Sequence, residues 1–126
     1  MQDLTGARVL DLKGDTLEIK AVFRNADKGS SGLRIRRSDD GTRSLEIRCQ
    51  GGGVDVFGTR VPMTPEGEEK MVALHVFLDK SIVEVFVNGG RQTAAKVVAP
   101  PAGDLGIEAF TDGTGDVDVW RMKSIW

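Results

Sequence analysis

Apolar and polar residues alternate with a period of two along most of this chain, and turn residues break the alternation every 8 to 12 positions. The clearest run is 73–90. Leu74, Val76 and Leu78 alternate with Ala73, His75 and Phe77, and Asp79-Lys80-Ser81 interrupts them. Val83, Val85 and Val87 then alternate with Ile82, Glu84 and Phe86, up to Asn88-Gly89-Gly90. Such spacing, rich in β-branched residues and bounded by turn formers, predicts a β-hairpin. Asn-Gly favours a left-handed turn, so a third strand is expected to fold back from Arg91.

The rest of the chain reads the same way. Residues 1–7 are a lead-in, and Arg8–Leu12 is a first short strand. Over 16–23, Leu17, Ile19, Ala21 and Phe23 share one face, with Glu18, Lys20 and Val22 on the other. Residues 32–37 and 44–49 form a second expected hairpin about Ser38-Asp39-Asp40-Gly41, with Leu33 and Ile35 inward and Arg34 and Arg36 outward. A short strand follows at 54–57. Residues 58–70 read mostly as loop, because Pro62 and Pro65 oppose a central strand there. Strands at 91–98, 105–110 and 116–126 complete the series, with a turn expected at 111–115. In the last strand Val117 and Val119 share one face, Trp120 and Met122 the other.

About ten short strands and no helical period predict an all-β fold. Two antiparallel sheets must cover each other's apolar faces, so the expectation is a β-sandwich, lectin-like or jelly-roll-like. At 126 residues the chain is expected to form a single sandwich domain, 1–126.

Composition narrows the functional classes. There are 17 basic and 19 acidic residues, net charge -2, and the arginines at 34, 36, 37, 43 and 48 are interleaved with Asp39, Asp40 and Glu46. No concentrated basic face is foreseen, so nucleic acid is not an expected partner. No apolar run is long enough for a membrane-spanning helix, and a membrane is not expected either. Cys49 is the only cysteine and falls in phase with Leu45 and Ile47, which makes it a core residue. It assigns no compartment. Gln50–Gly53 lacks the spacing and the following helix of a phosphate loop. No cofactor is implied.

Candidate chemistry is sparse. Asp79, Glu84, Glu108, Asp112, Asp116 and Asp118 could supply a hydrolytic carboxylate pair, but nothing in the sequence pairs them. Residues 112–116 are too short for a calcium loop, and His75 is the only histidine, so no metal or catalytic residue is expected. Glu84 is the oddity. Flanked by apolar neighbours, it should either be paired inside or at the rim of the sandwich, or contact a sugar or another domain. Trp120 and Trp126 have the chemistry of sugar-stacking or interface residues; alternatively Trp120 packs the sandwich and Trp126 pins the C-terminus. Glu84, Trp120, Glu108 and Arg34 are the expected carbohydrate or interface contacts.

Leu74–Gly90, LHVFLDKSIVEVFVNGG, resembles the signature of the C-terminal β-sandwich of glycoside hydrolase family 32, the invertases, levanases and inulinases. The family's Asp-Arg-Ser stands here as Asp79-Lys80-Ser81. Glu84-Val85-Phe86 matches, and Asn88-Gly89-Gly90 has Gly in place of the middle Asp. Val119–Trp126 is similar to the family's closing strand, and 17–21 and 32–35 to its early strands. The resemblance implies that catalysis belongs to a five-bladed N-terminal propeller. Its Trp-Met-Asn-Asp-Pro-Asn-Gly, Arg-Asp-Pro and Glu-Cys motifs are absent here. It therefore implies a non-catalytic accessory module that stabilises the propeller, with fructan or sucrose-type recognition as a further expectation. Left open are a stand-alone levan- or inulin-binding module and an oligomerisation module, such as a homodimer.

Overall fold

In the computed structural model, residues 2–122 are described. The ten strands are β1 (Gln2–Val9), β2 (Thr16–Arg24), β3 (Ser30–Arg37), β4 (Leu45–Gln50), β5 (Gly53–Val56), β6 (Thr59–Pro62), β7 (Val72–Asp79), β8 (Ile82–Val87), β9 (Gln92–Val97) and β10 (Gly106–Arg121). All pairings are antiparallel, in the order β6-β5-β4-β3-β10-β2-β7-β8-β9, with β1 beside β10. The fold is the expected all-β sandwich.

Sixteen-residue β10 belongs to both layers. Gly106–Thr111 pairs with β3, and Thr114–Arg121 pairs with β2. β1 follows it on the other side, with an irregularity at Thr5/Gly6 where the two strands cross between sheets. One layer is thus β3–β6 with the first part of β10; the other is β2, β7, β8 and β9 with its second part. The expected turn at 111–115 is not a turn. Its glycines serve close approach instead: a Cβ at Gly113 would lie 2.2 Å from the Arg24 carbonyl oxygen, and one at Gly115 2.6 Å from that of Val22.

Three other expectations change. The first strand runs over 2–9 rather than 8–12. Part of the expected 58–70 loop forms β6, an edge strand that ends on Pro62, where a missing amide costs no ladder bond. Arg36 does not point outward. Arg34 pairs with Glu108 and Arg37 with Gly106, so β3 carries one extra residue there. The bulge places Arg36 at φ +47 and turns its side chain inside, 5% exposed. Its guanidinium donates to the carbonyls of Asp104 (2.5 Å), Pro101 (3.0 Å) and Lys80 (3.1 Å). One residue therefore ties the β9–β10 loop to the β7–β8 turn.

A single apolar cluster fills the space between the layers. Leu17, Ile19, Ala21 and Phe23 face Leu33, Ile35, Ile47 and Cys49, and the alternate residues Leu74 to Leu78 and Val83 to Val87 extend it. Each fully buried Leu, Ile or Val contributes about 1.5–3 kcal/mol against the ordering entropy. At the mouth, Lys96 Nζ of β9 donates to Thr59 Oγ1 of β6 and links the two edges.

Candidate functional site

The inner faces are apolar and closed, and the expected contact residues lie on the two outer faces. They differ in kind.

The outer face of β3, β4 and the first part of β10 is an ion-paired plate. Arg34 Nε donates to Glu46 Oε2 (3.0 Å) and its Nη1 to Glu108 Oε1 (2.9 Å). Arg48 donates to Glu46 Oε1 (2.7 Å) and to Ser30 Oγ (2.9 Å). The Arg48 hydrogen bond holds Glu46 below the usual carboxylate range, against its partial burial, and Arg34 adds to the effect. Phe110 sits opposite Gly32 across the β10–β3 pair, with the guanidinium carbons of Arg34 and Arg48 at 4.1 and 5.0 Å from its ring centroid. Gly32 makes this stacking fit: a Cβ there would lie 2.9 Å from Phe110 Cζ and 1.9 Å from the Ile47 carbonyl oxygen. The carboxylates of Glu46 and Glu108 are bridged by one guanidinium, an arrangement that neutralises charge instead of separating an acid from a base.

On the other layer, register builds rows across the strands. Trp120, Glu18, Phe77, Glu84 and Ala95 form one row, and Asp118, Lys20, His75, Phe86 and Thr93 the next. A His75 ring nitrogen lies 2.6 Å from Glu18 Oε2, which restrains the ring. His75 and Phe77 have ring centroids 4.4 Å apart, and Phe77 meets Phe86 edge-on at 5.8 Å and 89°. Lys20 Nζ stands 5.8 Å from the Trp120 ring. Two adjoining depressions open here. One, of about 270 Å³, is lined by His75, Phe77, Phe86, Gly89 and Gly90. The other, of about 210 Å³, shares His75, Phe86 and Gly89 and reaches Lys20, Val22 and Ala73.

The four expected contact residues thus divide between the faces. Arg34 and Glu108 meet in the ion-paired plate. Glu84 and Trp120 share a row of the aromatic face, with Glu18 and Phe77 between them. Glu84 is exposed and makes no ion pair among the described residues, so the buried or rim network expected for it is not formed. The reason is phase: Val83, Val85 and Val87 take the inner positions of β8 and leave the even-numbered residues outside. Trp120 also faces out, 43% exposed, rather than packing the core. Trp126 lies outside the described residues. His75 is half-buried, and Cys49 is buried, as expected, with its thiol pushed up to about 12 by desolvation.

The other carboxylates are engaged locally. Asp112 accepts the Ser30 amide (2.8 Å), and Asp116 takes Arg24 Nη2 (2.6 Å). Among the described residues no group of three or more His, Cys, Asp or Glu side chains gathers as a metal site, and no helix is long and apolar enough to cross a membrane. Sequence reading passed over Glu18, Lys20, Phe77 and Phe86. Their outward phase was visible, but the register that brings β2, β7 and β8 side by side was not.

Comparison with known proteins gives four likenesses. Residues 2–124 match the family model described as glycosyl hydrolases family 32 C terminal. The "Levanbiose-producing levanase" of Bacillus subtilis is 25% identical over 126 residues, covering 89% of this chain and 24% of that protein. The chain thus spans about a quarter of that relative's length. Among solved structures, exo-inulinase from Aspergillus awamori superposes with a TM-score of 0.83 at 21% identity, over 100% of this chain and 29% of the enzyme. Carbohydrate binding module CBM66 from Bacillus subtilis superposes at 0.59 and 13% identity, over 90% of this chain and 80% of the module.

Proposed function

Since the chain belongs to the glycosyl hydrolase family 32 C-terminal family, we propose that it is the non-catalytic accessory module of a β-fructosidase, a single sandwich that supports a catalytic propeller. The observation that carries this reading is the match of residues 2–124 to the family's C-terminal part. Beside it stand two unlike outer faces, one self-satisfied by Arg34, Glu46, Arg48 and Glu108, the other exposing aromatic rings. Family membership supports a separate catalytic domain as the partner. The carboxylates here are poorly suited to replace it. Those of the plate are neutralised by arginines, and Glu18 and Glu84 stand on either side of Phe77.

A second reading, fructan recognition by the module itself, is favoured by the depressions on the aromatic face and by the likeness to a carbohydrate-binding module.

Titration calorimetry with levan, inulin and sucrose, run beside an assay for free fructose, tests both. Heat without fructose is the outcome for a sugar-contacting accessory module. Neither heat nor fructose confines the module to supporting its catalytic domain. Fructose released by the purified chain contradicts the proposal.

A further inference from the structure

We infer that the depression between the β7–β8 hairpin and the Asn88–Gly90 turn is a subsite for one or two rings of a neutral fructan oligosaccharide. This rests on the β-fructosidase reading for the identity of the sugar, but on geometry for the place.

Four observations converge. First, the floor is aromatic and its ring faces differ in direction: Phe86 stands at 89° to Phe77, with His75 tilted 37° from Phe77. Such a floor accepts the C–H face of a sugar ring while a neighbouring edge bounds it. Second, hydrogen-bonding groups rim the floor. Lys20 flanks His75 across the β2–β7 pair, and Glu84 lies beside Phe86 on β8. Glu18 fixes His75 at 2.6 Å, so the imidazole is pre-oriented and need not be ordered by the ligand. Third, the adjoining volumes of about 270 and 210 Å³ are each smaller than a typical ligand pocket, which limits the occupant to one or two rings. Fourth, the charges near the floor are mixed, Glu18 and Glu84 with Lys20, so no phosphate-type cation cluster selects an anion.

A flat protein partner fits less well. The exposed apolar side chains Ile82, Val97 and Trp120 lie toward the margins of the face. Glu84 interrupts β8 between Ile82 and Phe86, and Glu18 separates Trp120 from Phe77. An interface core is expected to be contiguous and depleted of charge.

The experiment is an amide NMR titration of the whole chain with levan-derived and inulin-derived oligosaccharides, with maltotriose as a non-fructan probe. The expected result is saturable shifts at Ala73, His75, Phe86, Gly89 and Gly90. Phe86→Leu keeps an apolar side chain but removes the ring face, and should weaken binding about tenfold. His75→Ala should do likewise, while each variant keeps the wild-type spectrum elsewhere. Shifts that cluster at Arg34, Arg48 and Phe110 instead would overturn the site while leaving a fructan-binding module in place. Shifts at the expected residues with maltotriose alone would keep the subsite and remove its fructan assignment. No shift with any sugar, or full affinity in both variants, would overturn the inference, with support of a catalytic domain left standing.

Discussion

Two residues show how much single positions decide here. Gly32 lets Phe110 lie against the sheet between two guanidiniums, and its missing Cβ also makes room for the Ile47 carbonyl. Gly32→Ala is expected to destabilise the fold by more than about 3 kcal/mol, since backbone must move to admit the methyl group. Denaturant unfolding measures it. Arg36 is the second case. Its three carbonyl acceptors belong to two separate loops, so Arg36→Leu leaves buried carbonyls without donors and should cost about 2–4 kcal/mol. Nothing in the sequence marks Arg36 apart from Arg34: each directly follows an inward Leu or Ile, and simple alternation sends both outward. The bulge that inverts Arg36 is a property of the β3–β10 pairing, which alternation within one strand does not encode.

Elements were more legible than their joins. The hairpin 72–87 was plain, because valines at every second position and a two-residue turn with Lys80 at φ +54 agree on one register. The 111–115 segment was misleading for a physical reason: Thr-Asp-Gly-Thr-Gly has the composition of a turn, yet here the glycines admit neighbouring backbone while β10 passes from one sheet to the other. Gly113→Val is accordingly expected to disturb the β10–β2 pairing. Amide exchange in β10 and β2 should rise well above that in β7 and β8; equal protection throughout would show that the crossing tolerates a side chain. The candidate site was half legible. The outward phase of Glu18, His75 and Phe86 could be read within each strand, but their adjacency comes from β2 pairing with β7 across some fifty residues of intervening chain.

For the molecule as a whole, pH dependence follows from its carboxylates. Asp40 is held down to about 2, chiefly by the Thr42 amide and then by the Ser38 and Thr42 hydroxyls. Arg43 lowers Asp104, Arg24 lowers Asp116, and Arg48 lowers Glu46. Unfolded, these groups return to about 4, so the unfolded chain binds more protons as pH falls. Their stabilisation is in place above about pH 4 and is lost as pH drops toward 2. Thermal melts at pH 6, 4 and 2 should show the steepest loss of Tm in the last interval; a flat Tm would contradict it. The same charge arrangement bears on function, because carboxylates committed to arginines serve architecture. The central claim, that this family 32 C-terminal sandwich is a contact module rather than a catalyst, is tested most directly by prolonged incubation of the purified chain with levan while free fructose is followed. The expected result is no release above the protein-free control at any chain concentration. Release that grows in proportion to the chain and saturates with levan would contradict it.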